Sequence, residues 1–350
     1  MKTEVVFART PDERAKAIAL LRAGDVVGLP TETVYGLAAD ALNAEAVVKV
    51  FEAKERPRFD PLIVHLPDRD WLEEIVDLPA PDRKLILKLA ESFWPGPFTM
   101  VLPRREIVPE IVTAGLDTVA VRISAHPVFS EIIRDFGAPL AAPSANRFGR
   151  VSPTTAQHVL DELDGRISLI VDAGATTHGI ESTIVAVRGN KIDILRRGPI
   201  TEEQLSPFGA KVDIVTSSEK ISAPGQLPTH YAPKTPLQLI DTAKSFSAEK
   251  NQRVGLLAWA SRKGDFQIAP AVGNRHSLKF VAIRQLSEQN DLREAAANLF
   301  RDLRELDALE VDLIVAERVP EIGLGAAIMD RLRRAAHHQS DKPGTPERIL

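Results

Sequence analysis

Five short clusters in the chain combine cations, hydroxyls and small residues beside segments that read as strands. The first is Thr31-Glu32-Thr33-Val34-Tyr35-Gly36-Leu37. It offers two hydroxyls and a carboxylate at a strand end, where α/β sheets commonly bind ligands, and its glycine lets the chain turn; an ordinary hydroxyl-capped turn fits the same residues. The second, Lys54-Glu55-Arg56-Pro57-Arg58-Phe59-Asp60-Pro61, sets three cations within five residues on a backbone stiffened by two prolines. That suits phosphate oxygens as well as a solvated helix end. His65 follows on the next strand, either buried and neutral or in contact with a ligand. The third joins a tight aromatic turn, Phe93-Trp94-Pro95-Gly96-Pro97-Phe98-Thr99, to an apolar strand running from Thr118 to Arg122. A guanidinium on such a strand needs an anion, from the core or from a ligand. The fourth is Ala141-Ala142-Pro143-Ser144-Ala145-Asn146, followed by Arg147, Arg150, Ser152 and Thr154. Small residues there let a ligand approach the backbone, and Ser152 or Thr154 serves equally as a helix cap. In the fifth, Ser182 leads a strand and Arg196-Arg197 close the partner strand.

Nucleophilic chemistry has little support. No Gly-x-Ser-x-Gly elbow lies near these serines, and neither His-Glu-x-x-His nor a P-loop occurs in the chain. The chain has no cysteine, which removes thiolate nucleophiles, thiolate zinc sites and disulfides. A site rich in hydroxyls and arginines suits positioning and charge neutralisation in phosphoryl or nucleotidyl transfer.

The elements that must position these clusters form an alternating pattern. Strand-like runs fall at 25–30, 61–66, 98–102, 118–123, 139–142 and 167–172, and helical spacing at 11–23, 44–55, 81–93, 127–136 and 154–163. Residues 183–188, Gly189-Asn190 and 191–195 predict a hairpin. The mixture predicts an α/β domain with a twisted mixed sheet over residues 1–207. Prolines 207, 224, 228, 233 and 236 mark a linker, set at 208–236. Beyond it, strand patterns at 237–240, 253–258, 280–283 and 311–315 and helical ones at 288–306 and 323–336 predict a smaller doubly wound, Rossmann-like α/β domain over 237–336, with a polar tail at 337–350. Gly323-Leu324-Gly325 lacks the third glycine and downstream acid of a dinucleotide loop and reads as a tight helix start.

With 350 residues, 44% of them hydrophobic, the chain can bury a core in each domain. No secretory leader or membrane span is legible, so the expectation is a cytoplasmic protein. The net charge is −4; residues 1–207 carry 24 basic against 30 acidic groups, or −6, and the rest carries +2. Global charge therefore does not point to nucleic acid, and an anion site must be local.

Taken in order, residues 31–37, Lys54-x-Arg56-Pro57 running into Pro61-Leu62, Pro95-Gly96-Pro97-x-Thr99, Ser144-Ala145-Asn146 with Ser152-Pro153-Thr154, and Ser182-Thr183-Ile184 resemble the YrdC-like family, the threonylcarbamoyl-AMP synthases. His230-Tyr231-Ala232-Pro233 and Ala327-Ile328-Met329-Asp330-Arg331-Leu332 resemble the longer two-domain form. The resemblance implies that L-threonine, bicarbonate and ATP with Mg2+ give threonylcarbamoyl-AMP and pyrophosphate. That product would feed a downstream tRNA threonylcarbamoyl transferase, which forms N6-threonylcarbamoyladenosine. It places threonine near Thr33, His65, Arg122, Ala142 and Ser182, with Arg122 on the carboxylate. It places ATP near Lys54, Arg56, Asp60, Thr118, Ser144, Asn146, Ser152 and Arg196, with Tyr231 as a residue of a lid. Asp60 is the one candidate magnesium contact, and no general base is assigned. Two alternatives remain. An RNA-binding module would present Arg56, Arg58, Arg147 and Arg150 as a groove and allow a weak tRNA contact; the charge of −6 and the lack of interleaved aromatics weigh against it. A carbamoyl-adenylate enzyme for another acceptor, as in hydrogenase maturation, would need zinc-finger and acylphosphatase regions that the chain lacks.

Overall fold

The structure is a computed structural model that describes residues 2–8, 10–209, 211–214, 224–225, 230–260 and 280–337. The first unit begins β1 (Glu4–Phe7), α1 (Pro11–Arg22), β2 (Val27–Leu29), β3 (Gly36–Asp40), α2 (Ala44–Lys54) and β4 (Ile63–His65). It continues through α3 (Trp71–Ile75), α4 (Arg83–Phe93), β5 (Phe98–Pro103), α5 (Glu110–Thr113), β6 (Thr118–Arg122) and α6 (Pro127–Phe136). β7 (Leu140–Ala141), α7 (Ala156–Leu163), β8 (Leu169–Asp172), the antiparallel hairpin β9 (Thr183–Arg188) and β10 (Lys191–Arg196), α8 (Glu202–Leu205) and β11 (Lys211–Ile214) complete it.

Local chemistry sets the boundaries. Thr10 and Glu13 form a reciprocal capping box at the start of α1, whose first residue, Pro11, needs no amide partner. Asn43 caps α2, which ends where Glu55 turns left-handed into the arginine–proline loop.

The strands form one mixed sheet in the order β1-β8-β2-β3-β7-β4-β6-β5-β9-β10-β11. β4 pairs parallel with β6, setting His65 beside Arg122, and β6 pairs antiparallel with β5. β5 in turn pairs parallel with β9. One face packs against α2, α4 and α5 in the largest core cluster, and α1 and α6 cover part of the other. Beside them a patch of Ile63, Val101, Ala120, Ile184, Ala186 and Leu195 forms a separate small cluster.

The expected hairpin and most expected strands and helices are present within a few residues. β1 and β11 lie at the two edges, and β3 follows directly on the threonine cluster; sequence periodicity missed all three. β11 also carries the first sheet to Ile214, inside the stretch read as linker. Of that stretch, residues 210, 215–223 and 226–229 lie outside the described residues, as do residues 338–350 of the tail.

The second unit contains β12 (Leu237–Ile240), β13 (Val254–Ala258), β14 (Phe280–Gln285), α9 (Leu292–Asp307), β15 (Leu313–Glu317) and α10 (Leu324–Ala336). Its four strands are all parallel, in the order β12-β15-β13-β14. Here the helix-start reading of residues 323–325 holds: Gly323, at φ +49°, precedes α10, and a Cβ on Gly325 would lie 1.9 Å from the Pro320 carbonyl oxygen. The two units share one apolar cluster in which Val34, Val151, Ile180 and Tyr231 pack with α9 and α10. Among the described residues no helix is long and apolar enough to cross a membrane.

Candidate active site

The site is built where the first unit's sheet ends meet the chain that leads to the second unit. β2 and β3 are joined by a turn that its own hydroxyls hold: the Thr31 hydroxyl accepts from the Thr33 and Val34 amides at 3.1 and 3.3 Å and donates to the Val34 carbonyl at 2.6 Å. Thr31 and Thr33 hydroxyls are 2.8 Å apart. Gly36 must be small, because a Cβ there would come within 3.2 Å of the Ala142 side chain. This close approach brings the 142–144 strand end against β3.

Arg122, only 2% exposed, lies at the end of β6. Its Nη2 donates to Glu32 and its Nη1 to the Thr33 hydroxyl at 3.3 Å, while Nε has no partner. Ser124 also donates to Glu32. Burial pushes the Glu32 carboxyl upward, but the Arg122 charge and the Ser124 hydrogen bond outweigh it and hold the pKa below the usual value. The anionic partner required by the buried arginine is thus supplied within the protein, and it orients the guanidinium. His65 beside it is held neutral, first by burial and then by the Arg122 charge.

A second group of cations converges from other elements. Arg56 is buried, lies 2.8 Å from Asp60 and donates to the Pro61 carbonyl at 2.9 Å. Burial raises the Asp60 pKa against the pull of Arg56, Lys54 and Arg196, and its Oδ1 has no hydrogen-bond partner. Arg196 enters from β10 and donates to the Ser182 carbonyl and hydroxyl, each at 3.0 Å; that hydroxyl lies 2.8 Å from Thr99. Arg196 also reaches the Pro224 carbonyl at 3.4 Å.

Together these groups surround a cavity lined by Thr31, Thr33, Arg56, His65, Arg122, Ala142, Ser144, Glu181, Ser182, Arg196, His230 and Tyr231, among others. Nine of the fourteen positions singled out in the sequence line it: Thr33, Arg56, His65, Arg122, Ala142, Ser144, Ser182, Arg196 and Tyr231. The remaining five support it or lie farther off. The Lys54 ammonium donates to the Ser144 and Asn146 carbonyls, each at 2.5 Å, so it braces that loop; burial, then Arg56, lowers its pKa well below the ordinary value. Asn146 donates to the carbonyls of Arg147 and Arg150, and the Ser152 hydroxyl donates to Glu181 at 2.5 Å. Asp60 stands behind Arg56. Thr118 lies four residues before Arg122 on the same face of β6, roughly 13 Å away at strand spacing.

Sequence reasoning did not assign Glu181, His230 or the pairing partner Glu32, although each stood inside or beside a singled-out motif. Of the four arginines considered as an RNA groove, Arg56 is buried in the cavity and Arg147 is paired with Glu162 at 3.2 Å.

Comparison with known proteins agrees with this layout. Residues 19–198 match the Sua5/YciO/YrdC family model, described as "Telomere recombination", and residues 200–337 match the model "Threonylcarbamoyl-AMP synthase, C-terminal domain". A Bacillus subtilis threonylcarbamoyl-AMP synthase is 40% identical over 96% of this chain and 98% of its own length, and one from Pyrococcus abyssi is 38% identical over 92% and 94%. The crystal structure of P. abyssi Sua5 complexed with L-threonine superposes with a TM-score of 0.82 at 34% identity, covering 95% of this chain and 98% of that one. The paired domains, the arginine- and hydroxyl-lined cavity of the first and these full-length matches have one reading: the chain belongs to the YrdC-like threonylcarbamoyl-AMP synthase family, in its two-domain form.

Proposed function

We propose that the cavity converts L-threonine, bicarbonate and ATP into threonylcarbamoyl-AMP and pyrophosphate, which makes the protein a nucleotidyltransferase of tRNA modification. The observation that carries this reading is the convergence of Arg122, Thr33, His65, Ala142 and Ser182 on one cavity that Arg56 and Arg196 also line. The first group is a pocket for a small amino acid: Arg122 takes the carboxylate through the guanidinium hydrogens that Glu32 and Thr33 leave free, and the hydroxyls and the neutral imidazole surround the side chain. Arg56 and Arg196 face the triphosphate. From there the apolar patch of Ile63, Ala120 and Ile184 runs along the sheet face toward Thr118, giving the adenosine a floor and Thr118 a place at its far end. Ser144, Asn146, Ser152 and Lys54 hold the strand end that borders the nucleotide.

The reaction needs a neutral threonine amine, whose lone pair adds to carbon dioxide with release of a proton, or to bicarbonate with loss of water, to form a carbamate. A carbamate oxygen then attacks the α-phosphorus in line, and pyrophosphate leaves. Most of the catalysis falls to alignment and charge neutralisation by the arginines, with no side chain assigned as general base.

No group of three or more histidine or acidic side chains able to hold a metal occurs among the described residues. Mg2+ would be carried in on the triphosphate; Asp60, the candidate contact, stands behind Arg56 and does not line the cavity. When bound, the ion offsets charge on the phosphates.

The cavity encloses about 50 Å³ with Tyr231 in its wall, too little for an amino acid and a nucleotide together. The Tyr231 segment accordingly acts as a lid that opens to admit substrates. Catalysis falls to the first domain, which with β11 extends past residue 207 to Ile214, closure to the Tyr231 segment, and 237–336 forms the second domain. The product is consumed by a tRNA threonylcarbamoyl transferase in the cytoplasm.

Pyrophosphate release from ATP, measured with bicarbonate and single amino acids, tests the proposal. Threonine supports release and serine and alanine do not; equal release with all three refutes the specificity, and none with any refutes the enzyme.

A further inference from the structure

The second unit reaches the cavity wall through a side chain that does not itself line the cavity. Arg331 on α10 is 1% exposed. Its Nε lies 3.1 Å from Glu181, its Nη1 donates to the Arg197 carbonyl at 2.7 Å, and its guanidinium sits 5.3 Å from the centre of the Tyr231 ring. Glu181 uses its other oxygen to accept from Ser152 at 2.5 Å. Glu181 and Tyr231 both line the cavity.

Two features show that this contact does more than join two surfaces. Tyr231 is a non-glycine residue at φ +65°, a conformation that persists only when its surroundings enforce it. Its described neighbours include Arg331 and the Phe300 ring, stacked at 5.5 Å, and both belong to the second unit. Among the described residues Glu181 is the only carboxylate on the cavity wall, and it stands among three arginines proposed to serve anionic substrates. Left free, its side chain would swing toward Arg196 or Arg56 and block the triphosphate. Arg331 draws it back from behind, while Arg304 on α9 secures the neighbouring loop by donating to the Val151 and Ser152 carbonyls.

We propose that Arg331 is a positioning residue for catalysis, holding the Glu181 carboxylate and the Tyr231 ring in place so that the second unit completes the active site. This rests on the adenylating role proposed for the cavity. The fork geometry is essential to it, because a lysine can pair with Glu181 but cannot also reach the Arg197 carbonyl and lie flat under the tyrosine.

The test compares Arg331→Lys with the double variant Arg331→Met/Glu181→Gln, which removes both charges so that no carboxylate is buried unpaired. In each, kcat and KM for threonine-dependent pyrophosphate release are measured beside the melting temperature. Arg331→Lys is expected to melt near the wild type and to lose about ten- to a hundredfold in kcat, with smaller changes in either KM. The double variant is expected to melt near the wild type and to keep a lowered kcat. Wild-type kcat in Arg331→Lys, or in the double variant, overturns the proposal. Hydrogen exchange of the 230–235 backbone supplies a readout that does not depend on the reaction: Arg331→Lys speeds it by about tenfold or more, and unchanged exchange overturns the inference even if the wild type proves inactive. Absence of activity in the wild type refutes the proposed reaction alone.

Discussion

Removing the Arg122 guanidinium separates the threonine requirement from the ATP requirement. The side chain is 2% exposed and already paired with Glu32 and Thr33, which leaves Nε and one hydrogen on each of Nη1 and Nη2 for a ligand. Hydrogen bonds to a charged carboxylate contribute about 1.5–3 kcal/mol, which corresponds to roughly a ten- to a hundred-and-fifty-fold rise in the threonine KM. The same substitution strands the buried Glu32 carboxylate, at a cost of about 3–5 kcal/mol in stability, so Arg122→Ala alone mixes binding with folding. Glu32→Gln/Arg122→Ala removes the stranded charge. In the double variant the melting temperature recovers, the threonine KM stays high, and the ATP KM remains within about twofold of that of Glu32→Gln alone. The assay is initial pyrophosphate release with each substrate varied in turn. Equal rises in both KM values, or a threonine KM restored together with stability, would refute the carboxylate clamp.

Two further outcomes follow from groups elsewhere in the structure. The Tyr231 hydroxyl is buried without a partner among the described residues, so Tyr231→Phe leaves the melting temperature unchanged and lowers kcat/KM for ATP about two- to tenfold; an unaltered kcat/KM would remove the hydroxyl from the nucleotide site. Asp302 on α9 has its pKa raised from 3.8 to about 6 by burial, against the opposing charge of Arg301. A folded-state pKa above the unfolded one means that stability present below about pH 4 is lost as pH rises through 6, by roughly 2–3 kcal/mol. The melting temperature of Asp302→Asn relative to wild type therefore climbs between about pH 4 and pH 7.5, and a pH-independent difference contradicts the burial argument.

Much of this arrangement could be read from local sequence because it is locally encoded. The Gly189-Asn190 turn, the Thr10–Glu13 box and the alternating apolar runs each specify their own geometry, and the hydroxyl and arginine clusters proved to share one cavity. Edge strands escaped notice because four residues such as Glu4–Phe7 acquire their strand character from a neighbour, here β8, more than a hundred and fifty residues away in the chain. Lys54 read as a phosphate ligand, yet in the structure its ammonium is engaged by two carbonyls, and only the packed loop reveals that. The contacts of Arg304 and Arg331 were illegible for the same reason. Both look like ordinary positions on amphipathic helices, and their partners Val151 and Glu181 lie in the other unit.

The central claim is that threonine, a one-carbon acid unit and ATP meet in one cleft and become joined. Incubating the protein with threonine, ATP and 13C-labelled bicarbonate and analysing the nucleotides by mass spectrometry tests it most directly. A threonine-dependent adenylate that carries the label is the expected product; AMP formed without such a species, or an adenylate that excludes the label, would overturn the assignment.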